Sequence, residues 1–149
     1  MDRFSTPAET ERAAAMRLFA LAPWGLLEAE TRALAKKAHS VLRGPETGLV
    51  MVRGRMGATG SAFNLGEATV TRCTVRLESG TEGHAYVQGR NAEHARRAAL
   101  CDALFQESKD IVTPVLKAIN TRLKAGHLDA AAKAAATRVD FFTLVRGDD

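Results

Sequence analysis

Apolar positions along the chain change period twice, first from helical to strand spacing and then back again. Ala15, Leu18, Phe19 and Ala22 recur every three or four residues, as one face of an α-helix requires. Thr6-Pro7-Ala8-Glu9 supplies the start. It offers a hydroxyl to cap free amides, a proline suited to the first helical position and a glutamate that can return the capping-box bond. Pro23 ends this helix. Leu27, Leu34, Ala38 and Val41 keep the helical period and predict a second helix from about Trp24 to His39. Glu28 can then pair with Arg32 one turn on, and Gly44-Pro45 is the expected stop.

The period shortens in the middle. Leu49-Val50-Met51-Val52 is a continuous apolar run, the pattern of a strand covered on both faces. Gly54, Gly57, Gly60 and Gly66 follow, and their stretch reads as a loop. From Glu67 to Glu78 the residues alternate, with Thr71, Cys73, Val75 and Leu77 on one face and Arg72, Thr74 and Arg76 on the other. Ser79-Gly80 predicts a hairpin turn into a strand over Thr81 to Gln88. A two-residue loop sets Val75 opposite His84 and Cys73 opposite Tyr86; a G1 bulge at Gly80 flips that parity, and the sequence is compatible with both.

Helical spacing then returns. Asn91 is a cap, and Leu100, Cys101, Leu104 and Phe105 form a buried stripe. Thr113-Pro114 repeats the cap-and-proline signal beside the stripe Val112, Leu116, Ile119 and Leu123. Gly126-His127 is expected to interrupt this region before an Ala-rich helical piece over Leu128 to Ala136. Val139 to Val145 is strand-like, with Phe141 and Phe142 adjacent. These segments predict one α+β domain over residues 1–149, a small antiparallel β-sheet with flanking helices.

Composition fits that picture. The 46% hydrophobic and 26% charged fractions belong to a globular chain, and aromatics at 5% leave Leu, Val, Met and Ala to fill the core. The net charge of +4 favours anionic partners without selecting one. The N-terminus lacks a basic stretch followed by an apolar core, and the run Leu18 to Leu27 is too short to span a bilayer. A cytoplasmic protein with no membrane partner is expected. Scarce aromatics and the absence of a recognition motif argue against nucleic acid.

Chemistry-bearing residues are few. His39, His84, His94 and His127 show no metal-ligand spacing, Cys73 and Cys101 form no CxxC pair, and no nucleophile elbow occurs. Neither a catalytic nor a metal site is nominated. Arg53, Arg55 and Arg72 are suited to charge-assisted contacts with phosphate or with a partner's carboxylates. His84 on a central strand could be aimed at the same target. The glycine-rich segment matches neither a P-loop nor a dinucleotide fingerprint. In the tail both alternating faces are apolar, so Phe141 and Phe142 are expected to be covered, by the chain's own sheet or by another subunit.

Several of these blocks resemble the PhnG family, small subunits of the bacterial carbon–phosphorus lyase core complex. They are Leu42 to Arg55, Phe63-Asn64-Leu65-Gly66-Glu67, Thr69 to Cys73, Gly83-His84-Ala85-Tyr86-Val87 with Gly89-Arg90, and Ala135 to Gly147. Ala58, Ala62 and Ala68 depart from the usual pattern, and Arg96-Arg97 makes one helix more basic. The resemblance implies an accessory role in phosphonate catabolism beside PhnH, PhnI and PhnJ, with the ATPase-like PhnL. It implies support for α-D-ribose 1-methylphosphonate 5-triphosphate synthase activity, in which alkylphosphonate displaces adenine from ATP. The nucleosidase-like chemistry falls to PhnI and the radical step to PhnJ, so ATP is a substrate of the complex and this chain binds no cofactor. Residues alone leave a second possibility, a stand-alone binding module for phosphorylated metabolites.

Overall fold

The computed structural model describes residues 7–57 and 59–138. In chain order the elements are α1 (Pro7–Leu21), α2 (Trp24–Glu30), a 3-10 turn (Leu34–Lys36), β1 (His39–Arg55), β2 (Ala62–Leu77), β3 (Glu82–Gln88), α3 (Ala92–Glu107) and α4 (Lys109–Ala136). The strands form one antiparallel sheet in the order β1-β2-β3. The α+β expectation is met, with all the helices gathered on one face of the sheet. Cys73, Val75, Leu77, Ala85 and Val87 line that face, while His84, Tyr86 and Gln88 of β3 look outward to solvent.

Helix α3 is the centre of the fold. Its buried residues run almost without a gap from His94 to Phe105 and meet the sheet on one side and α1 and α4 on the other. Many are alanines, so helix and sheet approach closely. The closest point is Gly83 of β3, where a Cβ would stand 2.1 Å from the Ala99 carbonyl oxygen and 2.5 Å from the Ala103 amide nitrogen. Only hydrogen fits there. Phe19 and Ala15 of α1, Leu27 of α2, and Val112, Val115 and Ile119 of α4 complete the core.

The hairpin between β2 and β3 takes the bulged alternative. Gly80 has φ +95°, its amide donates to the Leu77 carbonyl at 2.9 Å, and Val75 pairs with Gly83 and Cys73 with Ala85. A three-residue loop with a G1 bulge produces this parity. It turns Ala85 and Val87 into the core and leaves His84 on the open face.

Four expectations are corrected. The second helix stops at Glu30, and the chain is already in β1 by His39. Gly44-Pro45 does not end a helix; it is absorbed where the β1–β2 register slips between Val41 and Glu46. Because β1 is an edge strand, a proline without an N–H costs no ladder bond on its free side. Second, most of the glycine-rich stretch is strand: β1 continues to Arg55 and β2 starts at Ala62. Gly54 sits opposite Phe63, whose ring lies 3.7 Å from where a Cβ would be. Third, α4 passes through Gly126-His127 unbroken, since one glycine costs a helix only about 1 kcal/mol amid good helix formers. Thr113 does not cap; its hydroxyl donates back to the Lys109 carbonyl. Fourth, nothing among the described residues covers either face of Leu49–Val52. Thr6 and the tail segment Val139 to Val145, with Phe141 and Phe142, lie outside the described residues.

The Gly83 contact makes a sharp prediction. Gly83→Ala should destabilise the chain by about 2–3 kcal/mol or prevent folding, as overpacking of a close helix–strand contact does. Gly48→Ala, with open space around its Cβ position, should stay within about 0.5 kcal/mol of wild type. Urea unfolding of the two variants checks this, and equal midpoints would refute it.

Candidate functional site

Two surfaces are candidates, the open face of the sheet and the far half of the β1–β2 hairpin. On the open face, side chains form cross-strand pairs. Arg72 donates from Nε and Nη2 to Glu46 Oε2 at 3.0 and 2.8 Å, and its pKa is raised by hydrogen bonding with the Tyr86 side chain first and with Glu46 second. Arg76 pairs with Glu82, and Thr74 Oγ1 lies 3.2 Å from His84 Nδ1. Exposed pairs of this kind contribute little stability. They do occupy the arginines: Arg72 and Arg76 are already neutralised by carboxylates of their own chain.

The sequence-predicted residues do not converge. Arg72 and His84 are near neighbours on the open face, since their strand partners Tyr86 and Thr74 are adjacent along the ladder. Arg53 and Arg55 stand at the far end of β1, seven and nine positions beyond Glu46, the partner of Arg72. At about 3.3 Å per residue, more than 20 Å separates the two groups. The β1–β2 register also slips between Val52 and Arg53, at the base of the tip that carries both arginines. Arg55 donates to the Gly60 carbonyl at 3.2 Å, and Arg53 has no partner among the described residues.

That far end is the arm. Strand β3 stops where Gln88 meets Val70, which pairs on its other side with Gly48. Beyond this point β1 and β2 continue as a two-stranded ribbon. Leu49 (61% exposed), Met51 (53%) and Leu65 (66%) stand in solvent, with Val50, Val52 and Phe63 also open. Contiguous exposed apolar surface of this sort marks interaction sites. The second half of α4 also leaves the body, its last buried residue being Ile119.

Sequence reasoning missed one buried ionic group. Asp102 on α3 is fully buried; it accepts from Arg12 Nε at 2.9 Å and Nη2 at 2.8 Å, and from the backbone N–H of His84 at 2.8 Å. A carboxylate inside the apolar run Leu100 to Phe105 was the available signal, because charge there must be paired. Arg12 is held in its charged form, with a raised pKa, chiefly by the hydrogen bond to Asp102. His94 is structural in its contacts, its Nε2 lying 2.8 Å from the Phe19 carbonyl oxygen and its ring against Trp24.

Neither thiol has the environment of a nucleophile. Burial pushes Cys101 up to about 12, with Arg97 opposing and Asp102 adding to the rise; burial likewise raises Cys73. Among the described residues no group of three or more His, Cys, Asp or Glu is placed to hold a metal ion, and no helix is long and apolar enough to cross a membrane.

Comparison with known proteins settles the family. A family model described as phosphonate metabolism protein PhnG matches residues 10–147. The chain belongs to this family. Among curated proteins, the α-D-ribose 1-methylphosphonate 5-triphosphate synthase subunit PhnG of Rhizobium meliloti (strain 1021) is 48% identical over 142 residues, covering 93% of this chain and 91% of the relative. For this member of the PhnG family, then, the arm and the open sheet face are surfaces that no described residue covers.

The thiols give a direct check on the buried core. Neither should react with an aromatic disulfide reagent at about pH 8 in the folded chain, and both should react in denaturant. An unfolded Cys101 ionises near pH 9.0 and a folded one only near about 12. The unfolded state therefore loses its proton first as pH rises. Stability from this group is intact below pH 9.0 and is lost towards about pH 12. Cys101→Ala should flatten that alkaline decline. Rapid native labelling, or an unchanged slope, would contradict the packing described.

Proposed function

We propose that this chain is a structural subunit of an α-D-ribose 1-methylphosphonate 5-triphosphate synthase, part of a carbon–phosphorus lyase core complex in the cytoplasm. The observation that carries the reading is the close relationship to a protein named as the PhnG subunit of that synthase. In this role the chain stands beside PhnH, PhnI and PhnJ, with the ATPase-like PhnL associated. The complex displaces adenine from ATP with alkylphosphonate. ATP is its substrate, and no cofactor is assigned to this chain.

The local chemistry supports a supporting role. Both thiols are buried with raised pKa values, and His94 and Asp102 are engaged in holding helices and strand together. Pairing of Arg72 with Glu46 and Arg76 with Glu82 weighs against a stand-alone module that captures phosphates on the open face. Arg53, Arg55 and His84 are assigned as contacts to partner carboxylates or to substrate phosphates, and Arg72 joins them only by exchanging Glu46 for such a ligand. Phe141 and Phe142 are assigned to an interface.

Co-expression tests the role. A tagged copy of this chain should purify in a stable stoichiometric assembly with the other core subunits. The assembly, supplied with PhnL, should release adenine from ATP and methylphosphonate, and the chain alone should release none. Turnover by the single purified chain, or failure to join the assembly, would overturn the proposal.

A further inference from the structure

We infer that the β1–β2 arm is a plug that enters an apolar cleft of a larger partner subunit, with carboxylates on the cleft's rim. This deepens the subunit role proposed above and rests on it. Among the described residues the arm beyond Val70 has two strands, and each shows an unpaired edge as well as two faces. From Gly48 to Arg55 it extends on the order of 25 Å. Leu49 and Met51 lie on one face and Val50 and Val52 on the other, and all four are exposed.

A flat docking partner could cover one of these faces and would leave the other in water. An edge-on partner strand would satisfy one row of amides and leave both apolar faces half open. Only an occupant that surrounds the ribbon removes all of this surface from solvent, and that is a cleft. The arm's charges say what rims it. Arg53 has no partner among the described residues, and Arg55 spends one N–H on the Gly60 carbonyl. Glu67, opposite Met51, is the acidic side chain of the ribbon. The arm therefore presents a net positive end, which complements carboxylates. A second copy of this chain would bring the same two arginines to the contact, like charge against like.

The test uses the full-length tagged chain co-expressed with the other synthase subunits. Val50→Lys and Met51→Lys each charge one face, and the pair Arg53→Glu with Arg55→Glu reverses the tip. These side chains are exposed among the described residues, so the variants should melt with wild type. Each face variant alone should lower retention in the assembly by about tenfold or more, as loss of a central apolar anchor does. The tip variant should weaken retention and flatten its dependence on salt. Sensitivity at one face only would overturn the cleft in favour of flat docking, and wild-type retention of all variants would overturn the arm as an interface. A free wild-type chain that dimerises through the arm, with the dimer lost in Val50→Lys, would make a second copy the occupant and overturn the inference. If wild type itself fails to join the assembly, the subunit role falls first and the plug with it.

Discussion

The carboxylate of Asp102 is the point on which three layers of the fold meet. It sits on α3, receives two N–H bonds from Arg12 of α1, and receives the backbone N–H of His84 on the outer edge of β3. Taking a charge out of water costs several kcal/mol, and the cost is offset only where its lone pairs are fully used. Here the ion fixes the height of β3 along α3, and Gly83, one residue earlier, lets the strand lie directly on the helix backbone. Gln106 adds a bond to the Glu82 carbonyl on the same edge. The edge of β3 is thereby closed by the chain's own helix, and among the described residues the long unpaired edge of the sheet is β1.

That asymmetry explains where interactions can occur. The body buries Phe19, Leu27, Leu100, Leu104 and Ile119 around α3, and its sheet surface carries ion pairs satisfied within the chain. Apolar surface is left over where β1 and β2 outrun β3 and the helices. A chain that folded to act alone would gain from trimming that ribbon, since an exposed apolar edge invites aggregation. Its retention is what the proposed subunit role requires, in which other chains complete the folded form.

Much of this was legible in the sequence. The Ala15–Phe19–Ala22 face, the cap at Asn91, the stripe from Leu100 to Phe105 and the alternation from Thr71 to Leu77 all depend on local spacing, which a single chain displays. What failed depended on tertiary context. Val41 and Ala38 continue a helical period, yet pairing with β2 draws residues 39–48 into a strand. Gly54 and Gly66 look like loop residues, yet each lies opposite a large side chain, Phe63 and Val52, in the ribbon. Arg53 and Arg72 share a chemistry, yet Arg53 stands seven positions along β1 from Glu46, the partner of Arg72. The apolar run Leu49–Val52 has the pattern of a strand covered on both sides; the strand is there, and no described residue supplies its cover.

Amide hydrogen exchange tests most directly whether the other subunits supply that cover. The free chain and the chain in the co-expressed synthase assembly would be compared segment by segment. The account predicts that residues 49–55 and 62–69 become strongly protected on assembly, while the α3 core around Asp102, closed in both states, changes little. Arm segments that exchange equally fast in the free and assembled chain would contradict it.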